Sequence, residues 1–346
     1  MKLFVPGRLC LFGEHSDWAG EYRRLNSNLE KGYALIVGTN QGIYAESESL
    51  GDDRFVVVSD CRKLSLPLNR EALRAEAERG GFFSYAAGVA YQILTRYSVG
   101  GVAINNYLTD LPIQKGLSSS AAICVLVARA FNHLYQLNLS LQEEMELAYL
   151  GERTTPSRCG RMDQACAYGN QPILIVFDGD RLEITPLTVP KNLFLVIVNL
   201  GATKDTRSIL QQLNRCYPFA TDEIQQQVQK YLGKISSQIT QQAVSALQQG
   251  DAAKIGFLMK RAQAEFDRYL IPACPTQLTA PVLHQLLNHK PIQPYILGGK
   301  GVGSQGDGTA QLIVQDETNQ QKVIKIIQRD FPQMQCFQLT IAKTSS

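Results

Sequence analysis

The spacing of hydrophobic and polar positions changes several times along this chain, and each change marks an element. Apolar, strand-like runs occur at Lys2 to Val5, Ala34 to Val37 and Phe55 to Val58, punctuated by Gly and Asn clusters. Apolar residues then recur every three or four positions in Gly81 to Tyr97, Ser118 to Tyr135 and Leu141 to Arg153. That spacing predicts amphipathic helices packed on a sheet. Short β runs return between Ile173 and Leu187, with turn signals at Asp178-Gly179 and Pro186, and a further apolar strand spans Leu193 to Asn199. The Gln-rich stretch Glu223 to Gln249 keeps helical apolar spacing, so it reads as an amphipathic helix rather than a low-complexity tract. The pattern predicts an α+β protein. Its 346 residues exceed what one typical core supports, and the new strand beyond Lys191 places a boundary between domains 1–188 and 189–346.

Composition narrows the class of function. With 45% hydrophobic and 19% charged residues the chain is ordinary for a globular protein, and no window approaches the run of about 20 apolar residues a membrane helix requires. Met1 to Arg8 turns polar too soon for a signal-peptide core, so the expectation is a protein that is not exported. Eight scattered cysteines, without a C-x-x-C pair or clustered histidines, fit reduced thiols in a cytoplasm. A net charge of +3 with no Lys/Arg stripe argues against nucleic acid as the partner and for a small ligand.

Candidate chemistry lies in three glycine-containing segments. In the first, Pro6-Gly7-Arg8 leads to Gly13-Glu14-His15-Ser16-Asp17, which places donors and acceptors together in a way that suits a polyol. One histidine beside two carboxylates is a poor transition-metal set. The second, Gly116-Leu117-Ser118-Ser119-Ser120-Ala121-Ala122, enters a helix, where converging backbone N–H groups and the helix dipole favour phosphate. Serines there also serve as plain N-caps. No Walker G-x-x-x-x-G-K-[ST] exists in the chain. The third, Gly298 to Gly308, contains the letters G-x-G-x-x-G, yet a strand rather than a helix follows at Thr309 to Val314, which denies a dinucleotide fingerprint. It reads as strand, glycine loop and strand, either a ligand-approaching turn or a structural hairpin.

Taken together, these segments resemble the GHMP kinase superfamily in the family's own order. Pro6 to Asp17 is similar to the galactokinase signature P-G-R-V-N-L-I-G-E-H-T-D-Y, Gly116 to Ala122 to the phosphate-binding G-L-S-S-S-A-A, and Gly298 to Gly308 to the C-terminal glycine motif. Cys159-Gly160-Arg161-Met162-Asp163-Gln164 resembles the galactokinase C-G-I-M-D-Q. The resemblance implies a two-domain GHMP kinase fold, with an N-terminal domain like ribosomal protein S5 domain 2 and a ferredoxin-like C-terminal domain. It implies an ATP-dependent kinase that phosphorylates a monosaccharide, at the anomeric hydroxyl, as a monomer or homodimer. By the same resemblance Asp163 and Arg8 are the catalytic pair. Lys115, Gly116, Leu117, Ser118, Ser119, Ser120 and Ala121 bind ATP, Ser120 and Glu152 hold Mg2+, and Glu14, His15 and Asp17 contact the sugar.

The chain departs from that pattern in several places. Gln114 stands where the family loop has its first glycine, Trp18 replaces the usual Tyr, and Lys204 to Arg215 lacks a clear S-x-Y-N-x-R copy. Glu21 to Lys31 is an extra polar stretch whose Arg23 and Arg24 either recognise an acidic sugar or lie on a surface loop. The alternatives to a sugar kinase are an inactive sugar and ATP sensor and a mevalonate-type kinase. Asp17 argues against the latter, because mevalonate kinases continue G-E-H with apolar residues.

Overall fold

Strand β1 (Lys2–Phe12) runs well past Val5, where Pro6, Gly7 and Arg8 interrupt the apolar pattern. It continues because Arg8 is buried against a carboxylate, which makes a charged residue compatible with an interior strand. The computed structural model describes residues 1–111, 118–157 and 159–344. The chain forms two compact units, Met1–Arg8 with Gly38–Asn170, and Leu9–Val37 with the segment from Gln171 onward. These units are interleaved in sequence, since β1 and β2 (Gly32–Ser49) each contribute to both, whereas the boundary at 188 and 189 is a single cut along the chain.

In the first unit, β3 (Arg54–Ser59), β4 (Arg62–Pro67) and β5 (Val102–Thr109) join the second half of β2 in the order β4-β3-β5-β2. β3 and β5 are parallel, and the other neighbours are antiparallel. The predicted helices form at Ser84–Leu94, Ser119–Leu134 and Leu141–Arg153. The last begins with a capping box in which Ser140 and Glu143 satisfy each other's backbone N–H groups, a sequence-encoded start that fixes where its C-terminal Glu152 falls.

In the second unit the first half of β2 pairs with β6 (Ile173–Asp178), which turns at Asp178-Gly179 into β7 (Arg181–Pro186). A separate antiparallel sheet has the order β11-β8-β10-β9, built from β8 (Leu193–Asn199), β9 (Ile296–Gly301), β10 (Thr309–Val314) and β11 (Gln335–Ile341). Val196, Val198, Leu312, Leu283, Val323 and Ile327 fill its core. The Gln-rich stretch is helical, but a π turn at Tyr231–Ile235 divides it into Glu223–Lys230 and Ser236–Gln249. Helix Ala252–Leu270 crosses β9 so closely that a Cβ on Gly298 would lie 2.0 Å from the Gly256 carbonyl oxygen. That part of the third glycine segment therefore serves packing.

Candidate functional site

Two clusters of polar side chains form, one in each unit. In the first, Asp163 opens the short 3₁₀ turn Asp163–Tyr168, anchored by buried Met162, Ala165 and Cys166. Arg129 ties this turn to its supports: Nη2 donates to the Ala167 carbonyl at 2.6 Å and Nε to Glu144 at 3.0 Å. Sequence reasoning passed over Arg129 and Glu144. A basic and an acidic residue on the apolar faces of adjacent predicted helices were the available signal.

Arg8 Nη2 makes an ion pair with Asp163 Oδ1, and the Ser118 hydroxyl donates to the same oxygen at 3.2 Å. Ser118 sits in the left-handed region (φ 57°), and its side chain does not cap the helix it precedes. The plain capping role is therefore not realised there. Ser119 and Ser120 open the helix half-buried, and Ala121 is buried. Lys115, Gly116 and Leu117 lie outside the described residues.

Glu152 is 1% exposed and receives Gln164 Nε2 at 2.8 Å, with the Ser120 hydroxyl also donating to its carboxyl. Burial, and then the charge of Asp163, push its pKa up to about 7. The Gln164 Oε1 beside it is buried without a hydrogen bond. A buried carboxylate whose charge is disfavoured, a hydroxyl and an unsatisfied amide oxygen form a hard, oxygen-only donor set, which fits Mg2+. Burial raises the neighbouring thiols, Cys166 to about 12 and Cys159 further, so both stay protonated at neutral pH.

In the second unit Glu14, His15 and Asp17 follow β1 in sequence, and all are buried. Gly13 has φ 91°, and a Cβ there would lie 2.0 Å from the Tyr33 carbonyl oxygen, so only glycine makes this turn. Lys300, 1% exposed, pairs with Glu14 and donates to the Gly301 carbonyl at 2.9 Å. The sequence reading did not single out Lys300, since a lysine inside a glycine run looks like a loop residue. The glycine segment is strand, loop and strand, as expected, with Gly303, Gln305 and Gly306 in the left-handed region. Lys204 Nζ lies over that loop and donates to the Gln305 carbonyl at 3.1 Å.

The polar stretch Glu21 to Lys31 is tied into the second unit. Arg23 Nε donates to Asp178 at 2.6 Å and its guanidinium also holds the Ser27 and Leu29 carbonyls, while Lys31 pairs with the other Asp178 oxygen at 2.9 Å. Arg23 therefore has an internal structural role. Arg24 is exposed, 4.0 Å from Asp180.

Residues 84–170 match the family described as GHMP kinases N terminal domain, a span that includes Ser118 to Ala121, Glu152 and Asp163. That match and the galactokinase relatives support the resemblance of this chain to the GHMP kinase superfamily. It is 28% identical over 266 residues to a galactokinase of Thermococcus kodakarensis, covering 75% of this chain and 69% of that enzyme. Other galactokinases, including that of Haemophilus influenzae PittEE at 29% identity, are matched over about half their length. The α+β architecture is the GHMP kinase fold. The galactose complex of Lactococcus lactis galactokinase superposes with a TM-score of 0.72 at 18% identity, over 100% of this chain and 94% of that one. The Methanococcus jannaschii mevalonate kinase superposes at 0.73 and 18% identity, over 100% and 98%. Among the described residues no helix is long and apolar enough to cross a membrane.

Proposed function

We propose that this protein is an ATP-dependent sugar kinase of the GHMP kind that transfers the γ-phosphoryl group to the anomeric hydroxyl of a monosaccharide, giving a sugar 1-phosphate. The observation that carries the reading is Asp163: one oxygen holds Arg8 and the Ser118 hydroxyl, and its side chain remains 27% exposed beside a helix N-terminus. Among the described residues, Oδ2 accepts no hydrogen bond. That oxygen is the one to receive the hydrogen of the acceptor hydroxyl, while Arg8 keeps the Asp163 carboxyl oriented. Phosphoryl transfer depends chiefly on positioning and charge neutralisation.

In this reading the N–H groups of Ser118, Ser119, Ser120 and Ala121, together with Lys115, Gly116 and Leu117, cradle the ATP phosphates. Ser120 and Glu152 hold Mg2+, which when bound neutralises charge on the phosphates. Glu14, His15 and Asp17 orient the sugar through its hydroxyls. Residues 1–188 then carry ATP and the catalytic carboxylate, and residues 189–346 the third glycine motif. Galactokinase relatives at 28–29% identity support the substrate class.

The test is ADP release with Mg2+-ATP across monosaccharides, uronic acids and mevalonate, with Asp163→Ala alongside. Sugar-dependent turnover that falls by about 10²–10⁴-fold in the variant is the expected result. Turnover of mevalonate alone would replace the sugar, and binding of sugar and ATP without turnover would make the protein a sensor.

A further inference from the structure

His15 is held in an unusual way for a residue that contacts a polyol. It is 5% exposed, sits at φ 68° and stacks on Phe266 with ring centroids 6.3 Å apart. Left-handed backbone at a bulky residue persists only where the surroundings determine it. Trp18 Nε1 donates to His15 Nδ1 at 3.1 Å. An indole N–H can only donate, so Nδ1 must be the acceptor, and in the neutral ring the proton belongs on Nε2. That Nε2 is buried and makes no hydrogen bond within normal limits, with the Ser304 backbone near enough to act on the ring. Buried donors are almost always satisfied, and the exceptions call for an explanation.

The ring is neutral at physiological pH. Burial, together with the charges of Lys204 and Lys300, brings its pKa down to about 4. Trp18 is in turn fixed by edge contacts to Tyr217 at 5.3 Å and Tyr22 at 6.3 Å. Tyr22 belongs to the polar stretch Glu21 to Lys31, stacks on Tyr217 and donates through its hydroxyl to Asn214 at 3.0 Å. A chain of contacts thus runs from that stretch through Trp18 to His15.

We propose that Trp18 is a positioning residue that locks His15 as an Nε2–H donor, and that this hydrogen is given to an oxygen of the sugar substrate. The lock stands on geometry alone; the oxygen it serves rests on the sugar-kinase reading. The group recognised at this point must accept, so a hydroxyl, ring or carboxylate oxygen fits and an ammonium or amide N–H does not. The polar stretch acquires a function it could not have through Arg23, by holding the aromatic residue that sets the tautomer.

The chain has only four histidines, so ¹⁵N-histidine labelling resolves His15, assigned by loss of its signals in His15→Gln. The expected wild-type spectrum shows a single Nε2–H tautomer that stays neutral from pH 8 to about 5. Trp18→Phe keeps the ring and removes the donor, so a tautomer mixture is expected. With D-galactose, L-arabinose or D-glucuronate and Mg2+-ATP, the wild-type Nε2 resonance should shift for the sugar that is turned over. The KM for that sugar should rise about tenfold in Trp18→Phe with kcat within about twofold, the effect of one hydrogen bond. An Nδ1–H wild type, an unchanged tautomer in Trp18→Phe, or a loss confined to kcat would overturn the proposal. If Trp18→Phe does not fold, the wild-type tautomer and its response to sugar decide alone. A locked His15 in a protein that phosphorylates none of these sugars supports the lock and refutes the sugar-kinase reading instead.

Discussion

The two polar clusters handle buried charge in opposite ways. Around Glu152 and Asp163 two carboxylates lie close together, and Glu152 is destabilised by burial and by its neighbour. Around Glu14 and His15 the buried carboxylate already has its cation in Lys300, and the imidazole is kept neutral by burial and nearby ammonium groups. In the first cluster Asp163 has Arg8, but the Glu152 carboxylate stays destabilised, which suits a bound metal ion. The second is internally balanced and offers hydrogen bonds, which suits an uncharged polyol.

The strongest test of that balance is Lys300→Met. It strands the Glu14 carboxylate where both side chains are at most 7% exposed, so stability should fall by about 3–5 kcal/mol in denaturant unfolding. Adding Glu14→Gln should recover most of the loss. A single variant as stable as the wild type would show that Glu14 has other compensation.

The next test uses pH, where the clusters should respond with opposite sign. Glu152 has a raised folded pKa, so the stability linked to its protonated form is full below about 4.5 and is lost as pH rises through about 7. His15 has a depressed folded pKa, so its contribution is present above about 6.5 and is lost as pH falls toward about 4. Each is worth up to roughly 3 kcal/mol over its window. Metal-free unfolding from pH 4.5 to 8 should lose its alkaline decline in Glu152→Gln and part of its acid decline in His15→Gln. Amide exchange should loosen helix Leu141–Arg153 at high pH and Ser16–Glu21 at low pH; loosening of both at the same end would break the contrast.

The smallest expected effect sharpens the comparison by touching only one side. Ser140→Ala removes half of the capping box and should cost about 1 kcal/mol. Metal-dependent stabilisation, read as the Tm increment on adding Mg2+ and ATP, should weaken with it, because the helix carries Glu152. The His15 resonances should not move.

Much of this was legible along the chain. Apolar spacing located the helices that carry Ser120 and Glu152, since burial of one face imposes its period whatever the partner. The capping box and the Asp178-Gly179 turn are likewise local, and β8 has the predicted bounds. Where the sequence was silent, a distant partner decided. The carboxylate that lets Arg8 be buried in β1 stands 155 residues away. Glu223 to Gln249 is helical, as its apolar spacing predicts, with a π turn at Tyr231–Ile235 that the spacing does not mark.

The sequence by itself determined the element types, the phosphate-suited serine segment and the carboxylates that invite chemistry, because these depend on near-neighbour geometry and on motif spacing. Only the tertiary structure decided what those groups experience. Lys300 became a buried counter-ion, Arg23 an internal strut and Trp18 the partner of His15, because ionisation, tautomer and burial follow from neighbours brought together by packing rather than from position along the chain.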